Sequence, residues 1–306
     1  MNSTRSTDHW QASLPSSVQA ERQGPVAILR LNRAHKRNAL DDETVLGIEA
    51  FFDNLPDDVL SVLLCGDGEH FSAGLDLSEL EERDIQQGIA HSRVWHRAFE
   101  KIQYGRVPVV AALHGAVVGG GLELAASVHV RVAERSAYYA LPEGSRGIYV
   151  GGGGSVRLPR LIGVARMMDM MLTGRTYSAE EGLAIGLTTY LVETGKGFAK
   201  GLELATRIAS NAPLTNFAVT QALPRIAEMA PGSGFAMEAL MASIAQADPM
   251  AKDRLKAFLE KRAPKVTRSC RPMPGRASSR PGNKLLLRPA DGASERCARQ
   301  RQQDQG

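Results

Sequence analysis

The sequence predicts an α/β core followed by a module of helices, and three observations carry that prediction. Short apolar runs of strand length alternate with stretches of helical periodicity as far as about residue 200. Past residue 201 only helical patterns remain. Between one strand-like run and a helical stretch lies a glycine-rich loop, HGAVVGGGLELA at residues 114–125.

Taken in order, residues 25–31 (PVAILRL) alternate apolar and polar side chains, the period of a strand. They follow a polar leader, residues 1–16, expected to be disordered. Residues 41–54 carry Val45, Ile48, Phe51 and Phe52 at helical spacing. Residues 59–65 (VLSVLLC) form a short apolar run, the pattern of a buried strand. Residues 107–113 form another, which leads directly into the glycine loop. Residues 129–133 add a short strand and residues 187–192 a less regular one. Helices are expected over 199–210, 214–229, 235–247 and 251–262, the last with Leu255, Phe258 and Leu259 on one face. The expected division is therefore leader 1–16, core 17–200, helical module 201–264 and tail 265–306. Such a module packs against the core or against another subunit.

The chain has 306 residues, 43% of them hydrophobic, enough for one large core and a smaller appendage. Its net charge of +4 misleads, because residues 265–306 hold ten Lys and Arg against three acids. Residues 1–264 are thus mildly acidic, which argues against a nucleic-acid-binding surface on the folded part. The tail, rich in Arg, Pro, Ser and Gly and free of aromatic residues, reads as disordered. No apolar run approaches the ~20 residues that a membrane span needs. The N-terminus lacks the apolar segment of a signal peptide. Cys65, Cys270 and Cys297 form no CxxC pair and no metal spacing. A cytoplasmic protein without a structural metal, a nucleic-acid partner or a membrane partner is expected.

Residues 114–125, together with a second glutamate in ALPEG (Glu143), point to chemistry. Gly119, Gly120 and Gly121 let backbone N–H groups approach a ligand that any Cβ would push away. The segment after them reads as a helix, so these amides sit at a positive dipole end. A carboxylate follows at Glu123. The combination suits polarising a carbonyl oxygen beside a general base, with Glu143 supplying an acid.

HFSAGLDL (70–77) adds a tight turn at Ala73–Gly74, and what that turn offers chemistry is the Leu75 amide. Two amides on one oxygen make an oxyanion hole, and losing one such donor costs about 2.7–4 kcal/mol. Two partly buried carboxylates sharing a water repel, which raises one pKa and leaves an acid beside a base. Asp76 followed by Glu79 reads as a capping pair that opens a helix, ahead of any catalytic role. GGGGS at 151–155, flanked by apolar residues, reads as a second loop of close backbone approach. The seven histidines form neither a metal nor a triad pattern and read as structural. A dinucleotide-binding G-x-G-x-x-G with its acid and a GxSxG elbow are both absent. The methionines clustered at 167–171 read as core filling.

On these residues the chain resembles the crotonase (enoyl-CoA hydratase) superfamily from about residue 17 to 265. The resemblance is carried by LNRAHKRNAL (31–40), HFSAGLDL, PVVAALHGAVVGGGLELA (108–125), LPEGSRGIYVGGGG (141–154) and LTGRTYSAEEGLAIGLTTYLV (172–192). It implies a crotonase-type spiral of ββα units with a C-terminal helical oligomerisation module that builds trimers, commonly paired into hexamers. It implies an oxyanion hole from the amides of Leu75 and Gly120. Glu123 and Glu143 fall at both hydratase carboxylate positions, and since many members with other chemistry lack one or both, the pair favours water addition. By the same resemblance Lys36, Arg37, Ala73 and Asp76 would meet the CoA thioester. Phe258 and Lys261, in AFLEKR, would reach the CoA of a neighbouring subunit. CoA is part of the substrate, and no separate cofactor or metal is implied.

There are departures from the family pattern. Ser78 stands where many hydratases place a lysine near the CoA phosphates. GIYVGGGGSVRL replaces GxxPGxGGxxRL, so Tyr149 and Val150 would reshape the acyl end. Trp95 and Phe99 read first as helix packing and second as residues that shorten the pocket. The wording GLDLSEL, LPEGSRGI and VGGGGSVRLPRLIG is similar to methylthioacryloyl-CoA hydratases of bacterial dimethylsulfoniopropionate breakdown. That implies a short 2-enoyl-CoA substrate, 3-methylthioacryloyl-CoA, with release of methanethiol. A general short-chain enoyl-CoA hydratase of fatty-acid oxidation is the near alternative. A non-catalytic crotonase-fold RNA-binding or scaffold protein, using the basic tail, is a further one. The tail beyond AFLEKRAPKVTR is expected to have no enzymatic role.

Overall fold

Six strands order as β1 (Val18–Gln23), β2 (Val26–Leu31), β3 (Ser61–Gly66), β4 (Val109–Leu113), β6 (Val130–Glu134) and β9 (Tyr190–Val192) across the main sheet of the computed structural model. β1 runs antiparallel to β2, and every other neighbouring pair is parallel. A second, three-stranded sheet orders β5 (Ala116–Val118), β7 (Tyr138–Ala140) and β8 (Tyr177–Ser178). The structure describes residues 14–79 and 82–262.

The unbroken apolar runs have a direct cause: the main sheet is buried on both faces. On one face lie Ala27, Leu29, Leu31, Val62, Leu64, Val109, Ala111 and Leu113, packed with the larger core. The residues between them, Val26, Ile28, Leu63, Cys65, Val110 and Ala112, join Leu204, Ala205 and Ala209 in a second core. Those last three belong to α7 (Gly197–Ala209), which covers that face. The expected boundary at residues 200/201 therefore falls inside a helix of the core.

On the first face lie α1 (Asp42–Asp53) and α2 (Ile85–Gln103). Asp41 caps α1 by accepting the Thr44 amide at 2.8 Å, and Asp84 and Gln87 close a reciprocal capping box on α2. Beyond them come α3 (Gly120–Ser127), α4 (Gly154–Ile162), α5 (Val164–Thr173) and α6 (Ala179–Ile185). Ser178 and Glu181 form a second capping box that starts α6. The fold is α/β, with helices alone after β9.

Four expectations need correction. The glycine-rich segment 114–125 is not a single loop: after β4 ends at Leu113, β5 of the second sheet lies within it, ahead of the three glycines. The helix expected over 214–229 is broken into α8 (Pro213–Phe217), a π-helical turn at Ala218–Ala222 and α9 (Leu223–Ile226), since Pro224 cannot supply an interior N–H. Strand β1 precedes the first strand expected. The leader expected to end at residue 16 is packed from Leu14 onward: Leu14 lies against the core, and the Ser16 carbonyl accepts a hydrogen bond from Asn32 Nδ2 at 3.0 Å. Residues 1–13 and the tail 265–306, with Cys270 and Cys297, lie outside the described residues. Two longer helices, α10 (Pro231–Ala247) and α11 (Pro249–Leu259), finish the described chain.

Burial on both faces makes a specific demand on neighbouring strand residues. Ile28 and Leu29, both fully buried and facing opposite cores, should each cost about 2–5 kcal/mol when cut to alanine. Urea unfolding of the two variants checks this. A sheet with one solvated face would tolerate one of the changes and suffer from the other.

Candidate active site

The site begins with two backbone bridges that set the direction of one amide. Ser72 pairs with Val117 of β5 and Leu75 pairs with Leu40, both in parallel. In the second bridge Leu40 N–H donates to the Gly74 carbonyl at 2.7 Å and Asp76 N–H donates to the Leu40 carbonyl at 2.8 Å. Consecutive peptides in an extended chain point in opposite directions, so the amide of Leu75 is turned away from the bridge. It donates to no group among the described residues. The Gly120 amide opens α3, where helix geometry gives it no intrahelical acceptor.

These two amides are neighbours. A Cβ on Gly120 would stand 3.4 Å from the Leu75 nitrogen, and one on Gly74 would stand 3.1 Å from the Gly120 nitrogen and 2.6 Å from the Val118 carbonyl. Gly74 also has φ +91°, so its lack of a side chain answers both a conformational and a steric need. Gly119, at φ +53°, turns the chain from β5 into α3, and its amide is fixed on the Ala140 carbonyl of β7 at 2.9 Å. Trp95 packs under Gly120, with Cζ3 2.9 Å from where a Cβ would be. The indole forms the floor of this loop, and Phe99 packs edge-on against it beside Gly152.

Glu123 lies one turn into α3 and is 3% exposed. Its Oε1 accepts the amides of Gly152 and Gly154 at 2.8 and 2.7 Å, and its Oε2 bonds to no described residue. The GGGGS loop is therefore a loop of close approach, and what it approaches is a carboxylate. Burial pushes Glu123 up to about 7, and the charge of Glu143 adds to this, while the two amides and Arg157 pull the other way. Glu143 precedes the short 3₁₀ turn Gly144–Arg146 and is 6% exposed. Its Oε2 is buried without a hydrogen-bond partner, and burial raises its pKa too. Its Oε1 would lie 2.8 Å from a Cβ on Gly119, so the second carboxyl rests on the loop that carries the first.

The polar residues of LNRAHKRNAL and HFSAGLDL mostly serve the architecture of this turn. Asp76, expected to meet substrate, spends its carboxylate on Arg33 (2.7 Å), Lys36 (2.9 Å) and Ser78, whose hydroxyl donates at 2.6 Å. These bonds, the Ser78 hydroxyl first, hold it well below the usual carboxylate range. Lys36 is correspondingly committed to Asp76 and Ser78. Ala73 donates its amide to the Arg37 carbonyl at 3.0 Å, while the Arg37 side chain is exposed. Phe258 is 67% exposed on α11, and Lys261 follows that helix with φ +57°. Neither is brought to the glutamates within the chain, because α11 packs mainly on α10.

Sequence reasoning missed Arg33, Asn38 and Arg157. Arg33 also bridges to Asp41 at 2.7 Å, joining the cap of α1 to the Leu75 turn. Asn38, 1% exposed, donates to the carbonyls of Asp67 and His70 at 2.8 and 2.7 Å. Arg157 sits just inside the start of α4, where the helix dipole disfavours a cation, and that mismatch was the available signal. His129 is structural: its ring accepts the Val109 amide and meets the Gln103 carbonyl, and burial pushes it down to about 4. Among the described residues no cluster of three His, Cys, Asp or Glu is placed to hold a metal, and no helix is long and apolar enough to cross a membrane.

Comparison with known proteins gives a consistent result. A short-chain-enoyl-CoA hydratase of Clostridium acetobutylicum is 33% identical over 250 residues, covering 81% of this chain and 96% of that protein. A 2,3-dehydroadipyl-CoA hydratase of Escherichia coli K12 is 32% identical over 256 residues, covering 81% and 98%. Among solved structures, a crystal structure from Rhodopseudomonas palustris CGA009, provisionally named an enoyl-CoA hydratase, superposes with a TM-score of 0.79 at 62% identity. It matches 81% of this chain and 96% of its own. The family pattern described as enoyl-CoA hydratase/isomerase matches residues 21–269. That span takes in both free amides and both buried glutamates, and the chain belongs to the enoyl-CoA hydratase/isomerase family.

Proposed function

We propose that the protein adds water across the 2,3 double bond of a short 2-enoyl-CoA. The observation that carries this reading is the unequal pair of glutamates beside two free amides. Glu123 has one oxygen fixed by two N–H donors, which favour its ionised form, and a second oxygen left for a water. Glu143 has a buried oxygen with no donor to stabilise a charge, the setting of a protonated carboxyl.

The reaction then proceeds as follows. The thioester carbonyl accepts hydrogen bonds from the Leu75 and Gly120 amides. Glu123 takes a proton from water as its oxygen attacks the β-carbon, and the electron pair of the double bond moves onto the carbonyl oxygen. The two amides stabilise this enolate. Its collapse takes the proton of Glu143 onto the α-carbon and gives a 3-hydroxyacyl-CoA. Proton exchange with solvent resets the pair. No cofactor is needed beyond the CoA that the substrate carries.

For the acyl group we propose 3-methylthioacryloyl-CoA, on the similarity of GLDLSEL, LPEGSRGI and VGGGGSVRLPRLIG. Its hydrate carries hydroxyl and methylthio groups on one carbon, so it expels methanethiol and leaves an aldehyde. A general short-chain hydratase is the second reading, favoured by the C. acetobutylicum relative's name. The working form is proposed to be a cytoplasmic homo-trimer or hexamer. Phe235, Leu240, Leu255, Phe258 and Leu259 are large apolar side chains left exposed on α10 and α11, of the kind a subunit contact covers. In that assembly Phe258 and Lys261 would reach a neighbour's CoA. Neither a nucleic acid nor a membrane is proposed as a partner.

Two measurements test the reading. Crotonyl-CoA and 3-methylthioacryloyl-CoA are supplied in parallel while hydration and free thiol are followed. Glu123→Gln and Glu143→Gln should each lower kcat by about 10²–10⁴. Methanethiol release by the wild type alone supports the sulfur substrate, hydration without thiol supports the general hydratase, and no hydration of either rejects both. Secondly, kcat/KM should fall on the acid side near pH 7, as Glu123 gains the proton that stops it acting as a base.

A further inference from the structure

One buried cation touches this machinery without a part in the steps above. Arg157 is 7% exposed at the start of α4. Its Nη1 donates to the Gly152 carbonyl at 3.0 Å, and its Nε donates to Oε1 of Gln103, the last residue of α2, at 2.6 Å. Among the described residues it has no carboxylate within ion-pair distance, although a buried guanidinium ordinarily needs one. The loop wraps around it closely: Gly153 has φ +95°, and a Cβ there would lie 2.3 Å from Nη1. Gly152 and Gly154, on either side, give the two amides that hold Glu123.

We propose that Arg157 is a positioning residue: it clamps the Gly152–Gly154 loop so that both amides meet Glu123 Oε1, and in doing so it favours the ionised form of that carboxyl. The chemical consequence rests on the hydratase reading, but the clamp does not. Its position explains why the cation is tolerated in a buried helix start. Glu123 is held by the loop that Arg157 grips, and the two opposite charges favour one another's ionised forms. Desolvation dominates the electrostatic balance of Arg157 and lowers it, while Glu100 of α2, then Glu123, then Tyr104 act on the raising side.

The charged surroundings leave few competitors for this role. Glu123 is faced by Glu143 from the turn after β7 and by Arg157 from α4. From α2 it meets Trp95 and Phe99 across Gly152, which carry no charge. Arg146 stands beside Glu143 rather than beside Glu123. Arg157 is itself faced by Glu100 and Tyr104. A cation at this one position can therefore bias the base without quenching the acid.

The test follows the Glu123 carboxyl directly, by carbon-13 NMR of glutamate-labelled protein, with its resonance assigned by its loss in Glu123→Gln. The midpoint near pH 7 should move up by about one pH unit in Arg157→Met, and stay within a few tenths in Arg157→Lys, which keeps the charge. With crotonyl-CoA, kcat should fall about tenfold or more in Arg157→Met while KM changes less than about threefold. An unmoved midpoint in folded Arg157→Met overturns the proposal. Should that variant fail to fold, Gln103→Leu removes only the outer anchor and should move midpoint and kcat in the same directions by less; unchanged values there overturn it equally. If the wild type hydrates nothing, the reaction proposed above fails while the NMR midpoint still decides the role of Arg157.

Discussion

Two backbone amides closing on one oxygen of Glu123 hold the site together. A carboxylate buried in an α/β core would ordinarily be neutralised or paired with a cation. Here the loop before α4 supplies charge-assisted hydrogen bonds, each contributing about 1.5–3 kcal/mol, and the second oxygen stays unbonded. The arrangement fixes the side chain without consuming its basicity. It also requires α3 and α4 to meet at a distance that only glycine allows, since a Cβ on Gly154 would lie 2.8 Å from the Glu123 carboxylate.

Around this contact the fold works by division of labour. The doubly covered sheet gives rigidity, with Ile28 on one core and Leu29 on the other, and contributes no reacting group. The small second sheet carries the chemistry to its place. β5 delivers Gly119 and Gly120, and β7 delivers Glu143 two residues after Leu141, so a single parallel pairing sets how far the carboxyls stand from the amides. A cluster of Arg33, Lys36 and Asp76 then fastens the Leu75 turn to the start of α1. The buried charges at that junction are mutually satisfied, which is the condition under which such clusters order a loop.

Much of this was legible in the sequence, for reasons that differ element by element. β3 and β4 announce themselves because burial on both faces leaves no polar alternation to obscure them, whereas β2, read as alternating, is in fact buried almost throughout. The glycine loops are legible because only a close approach explains three or four glycines between apolar runs. β1 escaped notice since it is an edge strand, with every second residue facing outward in VQAERQ. β5, β7 and β8 are two or three residues long, too short for any period to show. Asp76 accepts the Ser78 amide at 3.0 Å at the head of a three-residue 3₁₀ turn rather than a helix, and its ties to Arg33 and Lys36 join residues some forty positions apart, which no local pattern reveals. The same holds for Arg157, whose partners come from α2 and from its own loop.

The pairing of Leu40 with Leu75 has a consequence for how this loop can evolve. Because the two sides of an extended segment alternate, sliding that contact by a single residue would rotate the Leu75 nitrogen inward and put a neighbour's carbonyl where that amide now stands beside Gly120. The stretch from the end of β3 to the bridge is thus a ruler of fixed length. Within it Phe71 is locked in the core and Gly74 has no room for a side chain, so an odd insertion or deletion would turn the Leu75 amide away from that of Gly120.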